Sequence, residues 1–110
     1  MIQETIGRIE DKIKKTKLIH EENKDELLHL VAELKSEVTA LSKTHPEQAE
    51  SIAGFADLSA HEAVRDVKNP HLSELSTEGL LASVREFEQT HPRLVNIVNV
   101  ISNTLSNMGI

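Results

Sequence analysis

Apolar residues fall three and four apart along most of this chain, and that spacing restricts the fold more than anything else in the sequence. Ile2, Ile6, Ile9 and Ile13 lie at intervals of four, three and four, which puts them on one face of a helix. Leu27, Leu30, Val31, Leu34, Val38 and Leu41 repeat the pattern, and this seam also fits two heptads. Ala49, Ile52, Ala53, Ala56, Ala60, Ala63, Val64 and Val67 form a third stripe, made mostly of small residues that let helices approach closely. Leu80, Leu81, Val84 and Phe87 begin a fourth. With two Phe and no Tyr or Trp, Leu, Ile, Val and Ala must build the core, and they favour packed helices over a sheet sandwich. The expectation is an all-α fold: a small bundle of about four to five helices joined by short turns, with coiled-coil-like oligomer packing. A length of 110 residues suits a single domain, 1–110.

Punctuation divides the stripes into helices over about 2–16, 20–43, 46–68, 77–90 and 92–108. Lys12, Lys14, Lys15 and Lys17 are followed by Glu21, Glu22, Asp25 and Glu26, the order expected where one helix ends and the next begins. A continuous helix with a solvated face is the alternative. Pro46 disfavours helical geometry at His45, and Thr44 with Glu47 reads as a capping box. Ser59 with Glu62 is a second such pair, so the third helix is open to division. Asn69, Pro70, Ser73 and Ser76 read as turn and cap formers before the fourth helix. The tripeptide Thr-His-Pro occurs at 44–46 and again at 90–92. A shift of 46 residues pairs Leu34 with Leu80, Val38 with Val84, Leu41 with Phe87, Ile52 with Val98 and Phe55 with Ile101. Two explanations stay open, a weak duplication and the ease with which amphipathic helices align.

The last seventeen residues, 94–110, contain no Asp, Glu, Lys, Arg or His, although 27% of the chain is charged. Leu94, Ile97, Val98, Ile101, Leu105 and Met108 make one apolar stripe, and Asn96, Asn99, Asn103, Ser106 and Asn107 face the other way. The segment is too short and too polar to cross a bilayer. A surface helix in so charged a protein ordinarily shows Lys and Glu outside. One apolar stripe can be covered by the chain's own helices, and an outer face of Asn, Ser and Thr points to a second contact with Asn hydrogen bonds setting its register; a face that is simply wet is the alternative. Leu94, Ile97, Val98, Asn99, Ile101, Asn103, Leu105 and Met108 are the expected interaction residues.

Charge and chemistry narrow the function classes. Eighteen acids against twelve Lys and Arg give a net charge of −6, which argues against gripping nucleic acid. The four Lys near residue 15 make a poor patch beside their acidic neighbours, for nucleic acid or for a membrane surface. Absence of Cys excludes thiolate chemistry and disulfides. The first fifteen residues lack a signal-peptide apolar run, so the expected compartment is the cytoplasm. Glu26 with His29 and Glu88 with His91 have the Glu-x-x-His spacing of di-iron bundles. They are the only metal candidates, and they lack the two further inward Glu that such a site requires. His61-Glu62 lacks the second His of a zinc hydrolase helix, and no phosphate loop or nucleophile elbow is present. No cofactor and no catalytic residue is expected.

The segments SIAGFADLSAHEAVRD, EGLLASVREFEQTHPRLVNIVNV and LSNMGI resemble a family of small bacterial proteins classed as a domain of unknown function. Its members carry a His-Pro-x-Leu stretch and end in Met-Gly-Ile or Leu-Gly-Ile. The likeness is clearest over about residues 50–110. It implies a bacterial helical protein and singles out His91, Pro92, Met108, Gly109 and Ile110, but it supplies no activity and no catalytic residues. The function expected is non-enzymatic: self-association or binding of another protein through the uncharged C-terminal helix, with a metal-binding bundle as the alternative.

Overall fold

A computed structural model describes residues 2–109 of the chain, and the side chains of residues 2–107. It is an all-helical bundle: α1 (Ile2–Lys15), α2 (Glu21–Ser42), α3 (Pro46–Val64), α4 (Pro70–Val84), a 3-10 turn (Arg85–Phe87) and α5 (Pro92–Gly109). Helices α2 to α5 form an antiparallel square in which α2 packs on α3 and α5, and α4 packs on the same two. Helix α1 lies across α2 and α3. The body measures 37 × 24 × 22 Å, the long dimension being about that of a 22-residue helix at ~1.5 Å per residue.

Helix α3 sits against all four other helices, and its composition explains how. Ala49, Ala53, Ala56, Ala60 and Ala63 are buried, and side chains that small let neighbours close in from several directions. The larger residues of the partners fill the space: Ile6, Ile9 and Ile13 from α1, Leu27, Val31, Leu34, Val38 and Leu41 from α2, Leu80 and Val84 from α4. Outside this core, Asp57 of α3 receives Lys12 Nζ at 2.6 Å and faces Arg8 Nε at 3.7 Å, so a carboxylate ties α1 down.

The α1–α2 break lies at residues 16–20, where the backbone is non-helical. Other boundaries differ from the sequence reading, each for a local reason. Helix α4 begins at Pro70 rather than near residue 77, because the Asn69 side chain accepts the Leu72 amide at 3.1 Å and Pro70 supplies the first turn. Ser73, Ser76 and Thr77 look like loop residues but are buried within that helix. The Ser76 and Thr77 hydroxyls donate to the Ser73 carbonyl at 2.9 and 3.1 Å, which satisfies them without leaving the helix.

Helix α3 stops at Val64, with Arg65 extended, because the chain must reach the Asn69 cap in a conformation compatible with the proline that follows. Val67, read as core, is therefore in the connecting turn and 77% exposed. Glu62 caps nothing and leaves α3 unbroken; its buried carboxylate receives Arg65 Nη1 at 2.7 Å. The fourth helix gives way at residue 85 to a 3-10 turn that carries Phe87 into the core.

Candidate functional site

The two Thr-His-Pro tripeptides are 46 residues apart in sequence and meet in space. Alternating helix direction brings the C-terminal ends of α2 and α4 to one end of the bundle, where both tripeptides turn the chain. His45 and His91 each stand edge-on to Phe87, with ring centroids 5.3 Å away in both cases and interplanar angles of 84° and 88°. The two imidazoles are 6.3 Å apart. The turns share their hydrogen bonds: the His45 amide donates to the Leu41 carbonyl at 2.8 Å, and the His91 amide to the Phe87 carbonyl at 2.7 Å.

Each threonine hydroxyl lies against the next imidazole, Thr44 Oγ1 to His45 Nδ1 at 2.8 Å and Thr90 Oγ1 to His91 Nδ1 at 2.9 Å. Thr44 also donates to the Leu41 carbonyl at 3.3 Å. A hydroxyl has one proton, so with that proton on the Leu41 carbonyl the Thr44 oxygen is free to accept from the His45 ring. The expected capping box at Thr44 is thereby displaced: His45 is the N-cap of α3 and makes no side-chain cap bond, because the threonine turns back toward α2. Packing is the evident work of this cluster, which staples two turns around one phenylalanine.

The metal candidates are not assembled. His29 pairs with Glu33 on its own helix, Nε2 to Oε1 at 3.0 Å, while His91 packs at the far end of α2, about 18 Å along the helix axis from residue 29. Glu26 and Glu88 are both exposed. Among the described residues no group of three or more His, Asp or Glu is placed to hold a metal ion. The gap in the core between Ile9, Leu27, Val31, Ile101 and Leu105 is about 10 Å³, less than one water fills.

The expected interaction residues divide in two. Leu94, Ile97, Val98, Ile101 and Leu105 are 3% exposed or less and belong to the chain's own core against α2, α3 and α4. Asn99 and Asn103 are exposed, with Asn96 and Asn107 beside them; Met108 lies outside the described side chains. The one charged residue of α5 is Arg93 at its start, which faces Glu33 and Glu37 of α2 at 3.6 Å each. Beyond it the outer face is neutral amide and hydroxyl, bordered by half-buried Val95 and Val100.

A second surface escaped the sequence reading. Phe55, Leu58, Leu72 and Leu75 are 38–48% exposed along α3 and α4. The signal was present, since Phe55 and Leu58 fall outside the stripe of Ala49, Ile52, Ala53, Ala56 and Ala60. No described helix is long and apolar enough to cross a membrane.

Residues 56–110, the later part of α3 with α4 and α5, match the family described as a domain of unknown function, DUF4404. The match covers half of the chain, and the chain belongs to this family. No curated protein and no solved structure matches it.

Proposed function

We propose that this DUF4404 protein is a non-enzymatic helical protein that acts by self-association, or by binding another protein, through the outer face of α5. One observation carries the proposal: after Arg93 no residue of α5 bears a charge, and Asn96, Asn99 and Asn103 stand exposed at heptad spacing, with Ser106 half-buried at the next step. Covering that face buries no ion, so the largest desolvation penalty of docking is absent. Asn side chains facing a second helix donate and accept at once, which sets register.

The test is the molar mass of the untagged chain by light scattering across a dilution series, with Asn99→Glu/Asn103→Glu as the variant. A parent mass of two chains or more, falling to one in the variant with the helical circular dichroism unchanged, is the expected result. A parent that stays monomeric at every concentration removes self-association. Ile101→Asp is unsuitable here, because Ile101 holds the fold itself.

A further inference from the structure

Of the six large apolar side chains exposed among the described residues, four lie on α3 and α4: Phe55, Leu58, Leu72 and Leu75. They form one ridge. A Cβ on Gly79 would lie 2.4 Å from Phe55 Cε1, so the phenylalanine ring rests on the glycine and sets the register of the antiparallel pair. Three residues on, Leu58 comes level with Ser76 and its neighbour Leu75, and Leu72 follows one turn beyond. In the other direction Phe55 walls an open groove of about 350 Å³ that continues past Ser51, Ala82 and Ser83 to Glu86.

The fixed charges on α3 and α4 have one sign, and the 3-10 turn that follows adds Glu86 and one exposed cation, Arg85. Helices α3 and α4 contain Glu47, Glu50, Asp57, Glu62, Glu74 and Glu78 and no Lys or Arg. Asp57 is held by α1 and Glu62 by Arg65. Glu47, Glu74, Glu78 and Glu86 are exposed and make no ion pair among the described residues, whereas Glu50 lines the groove on the α1 side with Arg8 and Asp57. The two cations of the connecting turn are engaged, Arg65 with Glu62 and Lys68 with the Ala63 carbonyl.

We infer that the α3–α4 face docks a basic amphipathic helix of another protein. The ridge and groove receive apolar side chains spaced three and four apart, and the acids meet Lys or Arg on either side of them. From Leu72 to Glu86 the surface spans about 21 Å, which four turns of helix cover. A second copy laid on the same face would set one acidic rim against another, since a two-fold interface pairs identical patches. The acidic rim therefore selects a basic partner and repels the chain's own α3–α4 face. This surface is separate from the outer face of α5, and either can fail alone.

The experiment titrates the untagged full chain with a synthetic sixteen-residue peptide, leucines on one helical face and lysines on the other. Binding is followed by amide chemical-shift changes and by fluorescence anisotropy at two salt concentrations. A peptide of the same composition with the leucines scattered is the control. Saturable binding, shifts confined to about residues 47–58 and 72–86, and a loss of at least about tenfold in Glu78→Lys/Glu86→Lys and in Leu75→Glu are expected, with weaker binding at high salt. Circular dichroism checks that these surface variants keep the fold. Absence of saturation, equal binding of the scattered peptide, shifts centred on α2 or α5, or unchanged affinity in the charge-reversed variant would overturn the inference. So would a parent oligomer that dissociates in Leu75→Glu, which would assign the face to a second copy.

Discussion

Helices α3 and α5 enter the bundle through the same turn and leave opposite surfaces to solvent. Each begins at a proline after Thr-His, with equivalent amide-to-carbonyl bonds closing the turn. From that shared start their surroundings diverge. Helix α3 packs on four helices and α5 on three, so α3 buries mainly alanines while α5 buries Leu94, Ile97, Val98, Ile101 and Leu105. Their outward faces differ as sharply, α3 showing Phe55, Leu58 and carboxylates, α5 showing asparagines. The turn is a local device that either helix can use; the neighbours decide what the rest of the helix becomes.

Among the apolar pairs that a 46-residue shift aligns, α3 and α5 part at Phe55 and Ile101. Leu34, Val38, Leu41 and Ile52 are buried, as are their matches Leu80, Val84, Phe87 and Val98. The fifth pair breaks, with Ile101 3% exposed and Phe55 38%. Ile101→Asp places an unpaired carboxylate in the core and is expected to cost more than about 4 kcal/mol, enough to unfold a domain of this size. Phe55→Asp is expected to cost about 1–2 kcal/mol, because the side chain is already 38% exposed and its substitute reaches water. Urea unfolding followed by circular dichroism measures both. Similar losses at the two positions would mean that Phe55 is a core residue and that α3 and α5 are closer equivalents than their exposures show.

What was legible before the structure follows the same division between local and global. Spacing of apolar residues located all five helices, and prolines marked where α3 and α5 start, because both signals act within a turn or two of chain. The start of α4 was missed because Ser73, Ser76 and Thr77 have loop-like chemistry that a helix satisfies with its own carbonyls. The two tripeptides were visible as a repeat, but their meeting around Phe87 depends on the up-and-down order of four helices. The α5 stripe was read as apolar, coverable by the chain's own helices, and its residues were counted with the asparagines as interaction residues; the chain's own helices bury Leu94, Ile97, Val98, Ile101 and Leu105. Nothing in a single helix says whether its apolar face is filled from within the chain or from outside.

At the shared end of the comparison, the two histidines should be interchangeable in energy. Both rings meet Phe87 at 5.3 Å and nearly perpendicular, a geometry in which aromatic pairs contribute about 0.5–1.5 kcal/mol beyond area burial. Double-mutant cycles of His45→Ala with Phe87→Leu and of His91→Ala with Phe87→Leu are expected to give couplings in that range that agree within about 0.5 kcal/mol. Unequal couplings would show that one turn leads and the other is only carried along, so that the likeness of the two entrances is geometric and not energetic.

The smallest effect, and the most discriminating for the α3 surface, belongs to Gly79. Glycine inside a helix is less favourable than alanine by about 0.8–1 kcal/mol, so Gly79→Ala alone should stabilise α4. Its new Cβ would lie 2.4 and 2.5 Å from Phe55 Cε1 and Cδ1, forcing the ring to swing off the groove. Because Phe55 is partly exposed, the ring has somewhere to go, and the lost packing is expected to offset most of the propensity gain, leaving a net change within about 0.5 kcal/mol. In a Phe55→Ala background the obstruction is gone and the same substitution should recover close to the full 0.8–1 kcal/mol, again read by urea unfolding. That difference between backgrounds measures what Gly79 gives up to seat Phe55. If Gly79→Ala is equally stabilising in both, the ring does not depend on the glycine, and the ridge on α3 and α4 is a looser surface than its close contact implies.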